Sequence, residues 1–344
     1  MILDSISILP YQLTFKTRYS SSKQSLDYRK GWIIRISSNG LNGYGDCCPL
    51  DKFSYETYQE SGYALEGFKL ALEEGSEIDF EELIHLSEAH GGSYPSVQFS
   101  IDSAIYDLQS KMEKISLNKY LNPKSQSSVK VSYYPESINE VFDGMIVKMK
   151  MISDNMFENI NQIDTLLDRY SGKVKLRLDF NGSMDLNRSI RFCKMLEGKP
   201  IDYIEQPIDS ENLRDMQELS LHTEIPIAVD EMVTDIDSVH RILESQCADV
   251  FVLKPMLIGG INKLKDMTNL LCNEAKRYNI SSLLESNIGR LAYLNIASAF
   301  SVSDESGIAT NIFFKNDLCD FPISQNGIIT LSSNPGIGID EINL

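Results

Sequence analysis

The chain has 344 residues, with 32 Lys and Arg against 49 Asp and Glu, a formal charge of −17 that argues against a nucleic-acid or anionic-membrane partner, since both call for basic patches. Its 42% hydrophobic and 24% charged residues are ordinary for a globular protein, and its length suits one large domain with a smaller one. No apolar run approaches the ~20 residues that span a bilayer.

The N-terminus, "MILDSISILPYQL", has an early acid, an early proline and no basic region, which is not the pattern of a signal peptide. Six cysteines without CxxC spacing read as buried free thiols in a reducing cytosol, and four dispersed histidines argue against a zinc cluster. A cytoplasmic location is expected.

Residues 1–46 read as β-structure, with "ILDSISILPYQLTF" and "GWIIRISSNGLNGYGDC" as strands and "SSNGLNG" as a turn. Between them "KTRYSSSKQSLDYRK", polar and serine-rich, predicts a mobile loop. From Thr57 to about Leu121 the pattern is helical. In "PSVQFSIDSAIYDLQSK" the apolar positions Val97, Ile101, Ala104, Ile105 and Leu108 follow helical spacing behind a Pro95-Ser96 start.

Beyond "LNPKSQSS" short β-branched runs alternate with amphipathic segments. The runs are 129–134, 145–151, 174–180, 202–207, 225–231, 249–255, 280–286 and 308–314. Eight strands alternating with helices predict a (β/α) barrel. The doubly wound alternative lacks a glycine-rich phosphate turn after its first strand. The tail after about Asn316 is again β and turn, and is expected to return to the N-terminal sheet.

Active-site groups of a barrel sit at the carboxyl ends of its strands. Those ends carry Lys150, Asp179, Glu205, Asp230 and Lys254, separated by 29, 26, 25 and 24 residues. Each step is about one βα unit, so the five charges belong to successive strands and converge on one mouth. Three carboxylates meeting there repel one another unless a cation lies between them. An all-oxygen set favours a hard ion, Mg²⁺ above all.

Lys148 and Lys150, two residues apart in "MIVKMKM", face the same side of a strand. The charge of Lys148 is therefore expected to lower the pKa of Lys150 and make it a base toward carbon. Each charge taken singly also fits a solvated strand end; five at one register do not. "IGG" at Gly259-Gly260 reads either as an anion-receiving helix start or as a plain turn. "ESN", Glu285, Ser286 and Asn287, is expected to line the mouth as substrate contact or rim support.

Together "KMK", "RLDFNG", "IEQP", "AVDE" and "LKP", in this order and spacing, resemble the enolase superfamily in its muconate-lactonizing-type branch. The resemblance covers nearly the whole chain. "GYGDCCPLDKFSYET" is similar to that family's capping-domain turn and loop, "PSVQFSIDSAIYDL" to its capping helix and "PGIGID" to its closing motif. Within the branch, "VLKPMLIGG" with "LLESNIG" is most similar to the o-succinylbenzoate synthases of menaquinone biosynthesis.

The resemblance implies a modified TIM-like (β/α)7β barrel over residues 125–315, an α+β N-terminal capping domain over 1–121, and a segment 316–344 returning to the cap. It implies Mg²⁺, with Mn²⁺ as a substitute, on Asp179, Glu205 and Asp230, and catalytic Lys150 and Lys254 opposed across a small anionic carboxylate substrate. Lys148 matches the first lysine of the KxK motif, Asn181 and Glu231 match supports of the ligands, and segments 16–29 and 47–55 match mouth-closing loops.

The reaction implied is dehydration of 2-succinyl-6-hydroxy-2,4-cyclohexadiene-1-carboxylate to 2-succinylbenzoate, a hydro-lyase chemistry. N-acylamino acid racemase, dipeptide epimerase and a non-catalytic metal-binding protein are the alternatives. No histidine follows His240 to serve as the base of a mandelate-type racemase. "ESN" carries one acid where dipeptide epimerases usually have Asp-x-Asp, and "IATNIFF" carries none where cycloisomerases often have one. "VSYYPES", "ATN" and Asp46, where many relatives have Glu, depart from the family's pattern.

Overall fold

The structure, a computed structural model, describes residues 1–20, 24–138, 140–302 and 304–343. The N-terminal part opens with an antiparallel sheet of β1 (Ser5–Ser20), β2 (Ser25–Ser38) and β3 (Leu41–Cys47), followed by α1 (Tyr58–Leu70), α2 (Phe80–Gly91), α3 (Pro95–Met112) and α4 (Leu117–Leu121). The segment expected as a mobile loop at 16–30 is instead mostly the outer arm of the β1–β2 hairpin. Tyr19 pairs with Leu26 and Ser20 with Ser25 after a break in register, while residues 21–23 lie outside the described ones. Cross-strand hydrogen bonds override the polar composition that reads as loop.

Helix α3 lies against β3 because Gly43 and Gly45 present no side chain. A Cβ on Gly45 would meet the Ser100 carbonyl oxygen at 1.8 Å, and one on Gly43 the Ala104 oxygen at 2.1 Å. Only glycine allows that approach.

After β4 (Ser128–Lys130) come β5 (Met145–Lys150), α5 (Met156–Arg169), β6 (Val174–Asp179), α6 (Leu186–Leu196), β7 (Ile201–Glu205), α7 (Leu213–Ser220), β8 (Ile227–Val229), α8 (Ile236–Ser245), β9 (Val250–Leu253), α9 (Pro255–Ile258), α10 (Ile261–Asn273), β10 (Arg277–Ile280) and α11 (Asn287–Ala299). Strands β5 to β10 form one parallel sheet in sequence order. Backbone bridges Tyr133–Val147, Val131–Ser306 and Ser281–Gly307 close it into a ring. The architecture is the modified TIM-like barrel with an N-terminal cap.

Side-chain caps at Asn155, Asp185, Asn212 and Asp235 start α5 to α8. Each helix turns one stripe inward; in α6 the buried positions Ser189, Phe192, Cys193 and Leu196 keep i, i+3, i+4, i+7 spacing. The first barrel connection differs. Among the described residues between Tyr134 and Met145 there is no α-helix, only a 3₁₀ turn at Pro135–Ser137.

Three further expectations are corrected. The seventh strand is 277–280 rather than 280–286, because its rim residues are held by side chains from the cap. The eighth strand position is taken by Ser306 and Gly307, and within the expected 308–314 run Asn311–Phe313 is a 3₁₀ turn. The tail's strand β11 (Ile328–Thr330) pairs with β4 and not with the β1–β3 sheet. The tail does reach the cap's helix: the Ile337 amide donates to Asp107 Oδ1 at 2.7 Å. All six cysteines are free thiols, but Cys272 is exposed and Cys319 half-buried rather than buried. No helix among the described residues is long and apolar enough to cross a membrane.

Candidate active site

Parallel pairing sets Lys150 beside Asp179 and Asp179 beside Glu205. Strand alternation then turns Lys148, Lys150, Asp179, Glu205, Asp230 and Lys254 to one interior. Below them Tyr203, Ala228, Val250 and Val252 form a separate small apolar cluster. The amino-terminal end is closed by Arg177, which donates to Asp202 at 2.7 Å and Asp304 at 2.9 Å.

The strands end abruptly at these charges. Asn181 and Gly182 take positive φ values of 46° and 75°, and Gln206 takes 38°, turning the chain outward directly after Asp179 and Glu205. Asn and Gly tolerate that conformation.

Lys148 Nζ bridges two acids, 2.6 Å from Glu205 Oε1 and 3.2 Å from Asp179 Oδ2. Lys150 Nζ donates to Asn181 Oδ1 at 2.9 Å and lies 3.4 Å from Asp179. Lys254 pairs with Asp230. Asn181 Nδ2 donates to Glu231 Oε1 at 3.0 Å, so Asn181 joins Lys150 to Glu231. A residue the sequence reading missed, Gln206, accepts from the Asp230 amide at 3.0 Å and steadies that acid's loop. Its place inside the "IEQP" motif was the available signal.

The electrostatics reverse one expectation. Lys150 is held above the usual ammonium range, not below it. Burial pushes it down, but Asp179, with Tyr19 and Glu205, outweighs both burial and the repulsion from Lys148. Burial likewise pushes Lys148 down, and Asp179 and Glu205 raise it further than that. Burial would raise Asp179, but Lys148 and Lys150 hold it below the carboxylate range. Glu205 is pushed up to about 8 by burial and then by Asp179.

The three acids are stacked on neighbouring strands and counter-charged by lysines. As they stand, no three His, Cys, Asp or Glu side chains among the described residues are grouped to grip one ion. Glu205 Oε2 and Asp230 Oδ1, however, are buried without a hydrogen-bond partner, a costly state for a carboxylate oxygen. Buried acids of like charge with orphaned oxygens are the donor set of a hard divalent cation.

The cap supplies the roof. A cavity of about 50 Å³ is bounded by the three lysines and Asp179 below, and by Tyr19, Leu26, Leu50 and Phe53 above, with the hydroxyl-bearing Ser281, Ser282 and Thr310 on its wall. The Tyr19 ring centre lies 5.8 Å from Lys150 Nζ and the Phe53 ring centre 5.5 Å from Lys254 Nζ, both within cation–π range. Buried Arg29 on β2 donates to the carbonyls of Cys48 at 2.7 Å, Pro49 at 3.0 Å and Leu284 at 3.3 Å, clasping cap to barrel rim.

Glu285, Ser286 and Asn287 are not at the mouth. The chain turns at Leu284, with φ at 65°, and carries them inward. Glu285 accepts from Ser282 Oγ and the Leu283 amide, and burial pushes it up to about 7. Ser286 donates through both its amide and hydroxyl to Asp46, at 2.8 and 2.6 Å. Asn287 donates to the Cys319 carbonyl. Their observed contacts fasten the start of α11 to the cap and tail. The helix start after Gly259-Gly260 meets a protein anion: Asp102 of α3 accepts from the Ile261 amide at 2.9 Å.

Known proteins bear on this arrangement. Residues 139–341 match the family described as enolase C-terminal domain-like, and residues 4–108 match the MenC N-terminal domain. The L-amino acid-D/L-Glu epimerase of Francisella philomiragia is 23% identical over 316 residues, covering 88% of this chain and 87% of that protein. The o-succinylbenzoate synthase of Bacillus subtilis is 22% identical over 359 residues, covering 99% and 94%. The dipeptide epimerase of Enterococcus faecalis V583, solved with Mg and the dipeptide L-Leu-L-Tyr, superposes with a TM-score of 0.88 at 18% identity, covering 99% and 100%. With one family match spanning more than half of its length, the chain belongs to the enolase superfamily of enzymes.

Proposed function

We propose that the protein is an o-succinylbenzoate synthase, which dehydrates 2-succinyl-6-hydroxy-2,4-cyclohexadiene-1-carboxylate to 2-succinylbenzoate. The observation that carries this choice within the superfamily is the lining of the lysine cavity. Among the described residues Asp179 is its one carboxylate, and the adjoining cleft adds one acid, Glu136, together with one base, Arg18, so a substrate ammonium, as in a free dipeptide, meets no surplus of negative charge. Glu285, the acid of the seventh-strand rim, is turned away into the Ser282–Leu283 turn.

Asp179, Glu205 and Asp230 would hold Mg²⁺, or Mn²⁺ in its place, once Lys148 and Lys254 release their oxygens. The ion would supply positive charge to the substrate carboxylate as the neighbouring carbon loses its proton. Against the effect of burial, Lys150 is held as an ammonium chiefly by Asp179 and would be released as the neutral amine where the cation offsets that acid's charge. It then takes the proton on Nζ while the C–H electron pair moves into the carboxylate. Lys254, from the other side, stabilises the growing negative charge. Lys150 then returns the proton to the departing hydroxyl; water leaves as the C–O bond breaks, and the ring becomes aromatic. Under the roof formed by Tyr19, Leu50 and Phe53 the Lys254 side chain is 9% and that of Lys150 21% exposed, which limits the access of bulk water to the two amines.

The test mixes the purified protein with the cyclohexadiene substrate and Mg²⁺ and follows aromatic absorbance. Turnover that requires the ion and Lys150 is expected; its absence rejects the assignment. The second reading, racemisation of an N-acylated amino acid, is favoured by one feature, the presence of an amine on two different walls of the cavity. It requires α-deuterium exchange in D₂O without loss of water. Turnover in either assay removes the third reading, a non-catalytic metal-binding protein.

A further inference from the structure

The cavity between the lysines, about 50 Å³, is far below the ~300 Å³ at the lower end of small-molecule sites. A carboxylate fits there; a six-membered ring does not. Beyond Lys150 lies a second cleft of about 380 Å³. The two share Tyr19, Tyr134 and Lys150 as lining, so they are adjoining chambers with Lys150 at the junction.

The cleft opens beside the first barrel connection, where Tyr134 and Pro135 begin the short turn that stands in place of a helix. Its walls are aromatic. Phe15 stacks on Tyr19 at 5.4 Å, and Phe313 meets Tyr19 and Tyr134 edge-on at 5.7 and 5.0 Å. Ile152, a large apolar side chain 56% exposed, lines it too. Apart from Lys150 at the junction, its charged lining residues are one of each sign, Glu136 and Arg18, so the lining beyond the junction carries no net charge of its own.

We propose that this cleft is the subsite for a flat, uncharged hydrocarbon part of the substrate, with the substrate carboxylate in the inner cavity and the reacting carbon beside Lys150. The proposal rests on the reading of the protein as an enzyme acting next to a carboxylate. Aromatic walls favour a planar group by offset and edge-on contacts, and a charged group would find no surplus of the opposite sign.

Benzoate and 2-naphthoate differ by one fused ring and neither can be dehydrated. With Mg²⁺-loaded protein and titration calorimetry, burial of the extra ring predicts that naphthoate binds about tenfold tighter than benzoate. Ile152→Trp and Gln162→Trp narrow the cleft from two exposed positions, and each is expected to weaken 2-naphthoate more than benzoate, reducing that ratio to about one. Two independent variants, each checked by its melting temperature, guard against misfolding. A ratio near one in the wild type, or a tenfold ratio surviving both substitutions, overturns the subsite. Because the probes report binding alone, failure of the wild type to dehydrate the diene would reject the reaction without touching this result.

Discussion

Replacing Lys148 by methionine isolates the charge that holds two buried acids side by side. Its ammonium lies 2.6 Å from Glu205 and 3.2 Å from Asp179, whose side chains are 0% and 2% exposed. At an effective dielectric of ~20 these pairs attract by about 6 and 5 kcal/mol gross, and desolvation of the ions offsets most of that. What remains is the cost of removing one partner of a buried ion pair, about 3–5 kcal/mol. Protonation of Glu205, already pushed up to about 8, brings the expected loss to the lower end, about 3 kcal/mol.

Urea unfolding with EDTA, and again with saturating Mg²⁺, measures it. The Lys148→Met variant is expected to be about 3 kcal/mol less stable in EDTA and to recover more than half of that deficit with Mg²⁺, because the ion replaces the missing positive charge. Equal stability of the two proteins in EDTA, or a deficit that Mg²⁺ leaves unchanged, refutes the three acids as a shared cation site.

Burial pushes Asp102, which joins α3 to the start of α10, from 3.8 up to about 6. A raised carboxyl pKa contributes stability that is full below the unfolded value near pH 4 and is lost as pH climbs through about 6. The stability of Asp102→Asn relative to the wild type should therefore rise by up to about 3 kcal/mol between pH 4 and pH 7; a pH-independent difference in urea melts contradicts this. Gly45→Ala places a methyl 1.8 Å from the Ser100 oxygen and must part β3 from α3, at a cost of about 3 kcal/mol or more. A variant within about 1 kcal/mol of the wild type in the same assay would show that the cap yields there.

Strands β5 to β9 lie within one or two residues of their sequence-read bounds, and the five charges at or just past their ends were legible for the same reason. Strand alternation and the length of a βα unit are local properties, carried by residues a few positions apart. The seventh strand was misplaced because its rim is not local. The apolar run Leu283-Leu284 looks like strand, yet it is held as a turn by Arg29, 255 residues from Leu284, and by Asp46, 240 residues from Ser286. The hairpin arm within 16–30 was misread for a related reason: apart from buried Arg29, most polar side chains among its described residues are exposed, and only pairing with the opposite strand makes it regular.

From its own pattern, then, the chain determined the order of the barrel strands, the inward face of β5 to β9 and the five charges that meet at the mouth, all set by spacing within single units. The tertiary structure decided the roof of Tyr19 and Phe53, the second chamber beyond Lys150 and the partner of each ammonium. It also decided the direction in which Lys150 is shifted. A neighbour two residues away pushes that amine down, but an acid on the next strand, 29 residues along the chain, pushes it up more strongly. Electrostatic interaction falls with distance through space and not with separation in sequence, so the sign of such a shift is set only when the strands are side by side.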